Sequence, residues 1–223
     1  DLNIGILYVL AITTWTVISL LMAGWGSNNK YALLGGMRSA AQIVSYEVPM
    51  AVSILTPILF VGSLSMNDIV LSQTGPIYNW FIFRLPFGPI AFLTFIIAGT
   101  AEANRTPFDI PEAEQELVSG YNVEYSGMKF AMFFLAEFVN MFTVSAVAVT
   151  VFFGGWNGFQ FLPSWLWFLG KTLLIVLLLM LFRWTYPRLR VDQLMVFAWK
   201  FLVPLTFANL IIAGLFKHLG WYW

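Results

Sequence analysis

The sequence has no cysteine, a single histidine (His218) and few charges, with Asp, Glu, Lys and Arg making up only 10% of its 223 residues. A soluble domain carries about 25% charged residues, so most soluble architectures are excluded at once. Without cysteine this chain offers no disulfide, thiolate metal site, iron–sulfur ligand or catalytic thiol. One histidine is too few for a haem or a His-built metal site. There is also no excess of positive charge, since eleven Lys+Arg stand against eleven Asp+Glu. Nothing here could neutralise a row of phosphates, which removes nucleic acid as a partner. Any redox cofactor the protein serves must sit on another chain.

What the sequence does have is apolar length, being 60% hydrophobic and 18% aromatic. Crossing roughly 30 Å of hydrocarbon takes about 20 helical residues. Six runs qualify, at residues 5–25, 37–64, 83–103, 130–153, 165–182 and 194–216. They are continuous rather than alternating, so they read as helices and not as barrel strands. No Gly/Ser-rich linker, low-complexity stretch or internal repeat divides the chain. The expectation is an all-α, polytopic integral membrane protein, one domain over 1–223 with an acidic inner loop at 104–129. The lack of a repeat counts against a stand-alone ion transporter. The chain begins at Asp1, without Met, and enters a span almost at once. It is therefore expected to be part of a longer protein with earlier spans, a processed N-terminus being the other reading.

The cations set the orientation. Lys30, Arg38, Arg105, Lys129, Arg183, Arg188, Arg190 and Lys200 fall on one side, whereas Arg84 and Lys217 fall on the other. By the positive-inside rule the first group marks the inner face. Trp25, Trp80, Trp156, Trp165, Trp184 and Trp221 stand at span ends, as an interfacial aromatic belt requires.

The chemistry should reside in the polar groups that a bilayer penalises. A charge at mid-span costs about 2.5–3.5 kcal/mol on insertion scales, so such groups usually face protein or water. Glu47 and Glu137 lie about 15 and 10 Å along their runs. Burial changes the proton affinity of a carboxylate, which makes both candidates to hold and pass a proton. The alternative is that each pairs with a buried cation such as Arg38 or Lys171 and only fixes helix packing.

The acids are not evenly spread. Glu102, Asp109, Glu112, Glu114, Glu116, Glu124 and Glu137 all lie between positions 102 and 137. Asp109 followed by Pro111 and three glutamates reads as a short helix start, with Asp as N-cap and Gly120 as its stop. Phe108, Ile110, Leu117, Val118, Tyr121, Val123 and Tyr125 share the loop. A loop both acidic and apolar is expected to pack under a partner or fold back into the membrane domain.

The run Ala101-Glu102-Ala103-Asn104-Arg105-Thr106-Pro107-Phe108-Asp109, continuing through Pro111-Glu112-Ala113-Glu114 to Glu124-Tyr125, resembles the signature of a known family. This is the H-type membrane subunit of proton-pumping NADH–quinone oxidoreductase, respiratory complex I. Ser45-Tyr46-Glu47-Val48 and Tyr186-Pro187-Arg188-Leu189-Arg190-Val191-Asp192-Gln193-Leu194 match as well. The wording looks bacterial, which implies a multi-pass protein of the bacterial cytoplasmic (inner) membrane. The family's upstream spans have no counterpart here.

The resemblance implies a subunit that encloses part of a quinone chamber and couples quinone reduction to proton translocation. Quinone would be the substrate, with FMN and iron–sulfur clusters on partner subunits. Those partners would be the other membrane-arm subunits and the soluble subunits at the quinone site. Glu47, Glu102 and Glu137 would form a buried carboxylate path. Asp109, Glu112, Glu114, Glu116 and Glu124 would belong to the quinone-chamber loop, with Arg105 as counter-charge. A homologous subunit also serves membrane-bound hydrogenases and phenazine-linked dehydrogenases, so the soluble neighbours would decide between donors.

Overall fold

A computed structural model describes residues 2–109, 120–158 and 163–220. All regular structure among the described residues is helical. Helix α1 covers Gly5–Gly26, α2 Lys30–Val61 and α3 Met66–Leu71. Then follow α4 (Phe87–Glu102), α5 (Met128–Phe152), α6 (Ser164–Thr185) and α7 (Val191–His218). Five of these, α1, α2, α5, α6 and α7, are long and apolar enough to cross a membrane. Helix α4 is apolar but has only 16 residues, about 24 Å of rise. One face of it is walled by protein: Ala91, Phe95, Ala98 and Ala101 are completely buried.

The start of α4 differs from the apolar run for a backbone reason. The chain runs through 3₁₀ turns at Ile77–Asn79 and Phe81–Phe83 before Pro86. The residue before a proline is disfavoured in the α region, so Leu85 cannot carry the helix upstream. Helix α2 instead begins earlier than its apolar run, because Asn29 caps it by accepting from the Tyr31 amide at 3.1 Å. At 32 residues α2 rises about 48 Å and passes through the centre of the bundle, against α1, α4 and α7. Pro49 and Pro57 lie within it and are buried, where neighbouring helices support the interrupted backbone.

Close approach at the crossing of α1 and α2 depends on small residues. A Cβ on Gly24 would stand 2.9 Å from the Ala32 carbonyl oxygen, and one on Gly36 3.0 Å from that of Leu20. Gly35 is tighter still, because its Cβ would meet Gly120 Cα at 2.8 Å. The second half of the acidic loop, from Gly120 onward, is thereby held directly on α2. In α7 a π-helical turn at Ala198–Leu202 precedes Pro204. Proline cannot donate to the Lys200 carbonyl, and the widened turn accommodates that missing bond.

At the end of the bundle opposite the cation-rich face, Gln73 is fully buried and joins three segments. Its amide donates to Ile69, Thr150 and Val151 carbonyls and accepts from the Phe81 and Gly154 amides. Outside the core, Trp15, Leu174, Leu177, Ile211 and many other large apolar side chains are exposed, as a lipid-facing surface requires.

Candidate functional site

The polar groups of the spans converge where α4 ends. Its last residue, Glu102, is 2% exposed and one of its carboxylate oxygens, Oε2, has no hydrogen-bond partner. Thr13, whose hydroxyl donates to the Leu10 carbonyl at 2.9 Å, and Glu47 both interact with the Glu102 side chain. Glu47, half-buried on α2, accepts a short hydrogen bond from Thr14 Oγ1. Two adjacent threonines on α1 thus lie beside two carboxylates on different helices.

The backbone beyond Glu102 turns through Asn104, whose φ is +49°, and is held by Gln42. Gln42 Nε2 donates to the Ala101 carbonyl at 2.8 Å and to the Phe108 carbonyl at 2.7 Å. Tyr46, also on α2, packs on Phe108 with ring centres 5.3 Å apart and donates to the Leu194 carbonyl at 3.0 Å. This turn carries Arg105 inward. Its Nη2 lies 3.6 Å from Glu137 Oε2, and its guanidinium carbon is 4.5 Å from the centre of the Phe138 ring. Tyr121, 1% exposed, donates to Glu137 Oε1 at 3.0 Å. One turn further along α5, Asn140 Nδ2 donates to the Glu102 carbonyl at 3.3 Å.

Glu47, Glu102, Arg105 and Glu137 therefore gather around the end of α4 and the turn that follows it. Asp109 and Glu124 are tied elsewhere. Arg188 Nε donates to the Asp109 carbonyl at 2.6 Å, and its Nη2 lies 3.4 Å from Asp109 Oδ2. Glu124 is exposed and accepts from Asn29 Nδ2 at 2.9 Å, beside the α1–α2 turn. Glu112, Glu114 and Glu116, with the short helix expected to start at Asp109, lie outside the described residues.

The described parts of the acidic loop fold back onto the bundle. Phe108, Tyr121 and Asn122 are buried, and Tyr125 donates to the Ala23 carbonyl at 3.0 Å. Among the described residues, Lys171 pairs with no glutamate. Its Nζ donates to the carbonyls of Phe153 at 2.8 Å, Gly155 at 3.2 Å and Asn157 at 2.5 Å, and lies 4.2 Å from the Trp80 ring centre. Glu137 finds its cation in Arg105 instead. Gln42, Thr13 and Thr14 also belong to the site, although no charge marks them in the sequence. The available signal was polarity out of place: a Thr-Thr pair inside a charge-free span, and an amide in the longest one.

These features define a class: a polytopic helical membrane protein with paired carboxylates buried where a short central helix meets a re-entrant loop. The chain belongs to the NADH dehydrogenase family, whose model matches residues 1–214. Among curated proteins it is 48% identical to the NADH-quinone oxidoreductase H subunit of Bacteroides fragilis, over 99% of this chain and 64% of that protein. The H subunit of Dehalococcoides mccartyi is 53% identical over 96% of this chain and 58% of its own length. The H subunit numbered 2 in Geobacter metallireducens is 49% identical over 98% and 62%. The chain thus spans 58–64% of the length of these relatives.

Proposed function

We propose that this chain is the membrane subunit of a bacterial NADH–quinone oxidoreductase, in the cytoplasmic membrane, that borders the quinone chamber and couples quinone reduction to proton translocation. The observation that carries the reading is the Glu102 carboxylate, 2% exposed at the end of α4 and interacting with Glu47 on α2. Carboxylates buried among membrane helices mark ion and proton pathways.

In this reading Glu47, Glu102 and Glu137 form the proton path, and Arg105 is the counter-charge at its loop end. The loop residues Asp109, Glu112, Glu114, Glu116 and Glu124 border the chamber. Reducing a quinone consumes two protons and changes the local charge. A charge change at the loop would alter the Arg105–Glu137 balance, and coupled carboxylates pass such a change along. The chain supplies proton-holding groups, and electrons reach the quinone from cofactors on neighbouring soluble subunits. The names of the relatives support an NADH-linked complex over a hydrogenase or a phenazine-linked dehydrogenase.

The test is translocation by the assembled complex in proteoliposomes. Glu47→Gln, Glu102→Gln and Glu137→Gln should each lower it by roughly a hundredfold or more, the lower end of what a proton-transfer group contributes, with assembly intact. Normal pumping by all three assembled variants would refute the path.

A further inference from the structure

A second feature lies outside the carboxylate region. An apolar cavity of about 660 Å³ opens between α4, the turn at Pro107–Phe108, α6 and α7. Phe92, Ile96 and Ile97 form one wall, and Leu178, Phe182 and Leu189 the other. Its volume falls within the roughly 300–1,000 Å³ of cavities that hold small apolar ligands. From Phe92 to Thr100 the α4 wall rises about 12 Å, parallel to the spans. Leu93, which also lines it, is 56% exposed, so the cavity communicates with the lipid-facing surface.

Three arginines adjoin, in sequence, residues that line the cation-rich end of this cavity. Arg183 directly follows Phe182, and Arg188 and Arg190 flank Leu189. Arg188 is committed to Asp109. The exposed side chains of Arg183 and Arg190 have no ion pair or hydrogen bond among the described residues, although Asp192 is near in sequence. Trp184, between them, is 78% exposed at interfacial depth. An apolar slot whose lining adjoins, along the chain, two exposed guanidinium groups without a partner among the described residues matches a molecule with an anionic head and a hydrocarbon tail. A neutral head group would leave both cations unanswered, whereas a phosphodiester accepts bidentate bonds from either.

We propose that this slot is a binding site for one anionic phospholipid, with an acyl chain against Ile97 and Leu178 and its phosphate held by Arg183 and Arg190. The occupant would fill the gap between α4 and the α6–α7 pair and tie the Asp109 end of the acidic loop, through Arg188, to the lipid head-group layer. The inference is independent of the proton path.

The experiment uses the purified complex, stripped of lipid in detergent and then incubated with phosphatidylglycerol or phosphatidylcholine. Retained lipid is counted by native mass spectrometry. The unmodified complex should retain phosphatidylglycerol in preference to phosphatidylcholine. An Arg183→Gln/Arg190→Gln variant should weaken that retention by roughly thirtyfold, since each arginine near an anionic head group contributes about fivefold. Ile97→Trp, which fills the slot, should abolish it. Because both arginines are exposed, the double variant decides the case even where the tryptophan variant fails to assemble. Equal retention by the arginine variant, no preference between the two lipids, or recovery of quinone in place of phospholipid would each overturn the proposal.

Discussion

Arg105 and Glu137 form an ion pair at 3.6 Å between side chains that are 6% and 10% exposed. Removing one member of such a pair leaves the other charge stranded, at a cost of about 3–5 kcal/mol, while replacing both with apolar groups is often close to neutral. Arg105→Met should therefore lower the thermal midpoint of subunit release from the complex, and Arg105→Met with Glu137→Leu should recover most of that loss. The recovered double variant should still fail to pump, because stability and the carboxylate are separable. A single variant as stable as the parent would show that the pair is not buried in the assembled protein.

One side-chain amide joins the two ends of the turn after α4. Gln42→Leu removes the donor from the Ala101 and Phe108 carbonyls. A buried acceptor left unsatisfied costs about 1–3 kcal/mol. Hydrogen exchange across residues 103–109 should accelerate, and Arg105 should lose its fixed approach to Glu137. Unchanged exchange in that segment would mean the turn is held by other contacts.

At the opposite end, Lys171→Met should loosen residues 153–157, because three carbonyls lose their shared ammonium. Hydrogen bonds to a charged group contribute about 1.5–3 kcal/mol. The effect should appear as faster exchange there, with translocation by the assembled complex unchanged. Normal exchange together with lost translocation would move Lys171 from a clamp to the proton path.

The long helices were legible because continuous apolar runs have one economical solution in a bilayer, and the caps sharpen them. Asn29 is a readable N-cap, yet polarity at Lys30 and Arg38 hid the first turns of α2. The apolar residues Phe81, Ile82 and Phe83 imitate the start of a span, and only the Leu85–Pro86 step argues otherwise. The acids Glu47, Glu102 and Glu137 stood out as charges among hydrophobes. Their partners did not, because Thr13, Thr14 and Tyr121 look ordinary until residues 33 or 16 positions away are brought to them. Which cation each glutamate chooses is a question of three-dimensional register. Spacing along the chain left Arg38 and Lys171 as open as Arg105.

The Lys171 clamp also bears on how the protein is made. Its bonds span only 14–18 residues and close a single hairpin, α5 to α6. That hairpin can lock as soon as its second helix has been inserted, with nothing further from the ribosome. The polar region at the other end requires α1, α2, α4 and α5, and Tyr46 waits for Leu194, 148 residues later. That hairpin is thus finished by local closure during synthesis. The side with the carboxylates is completed only when nearly the whole chain is in the membrane.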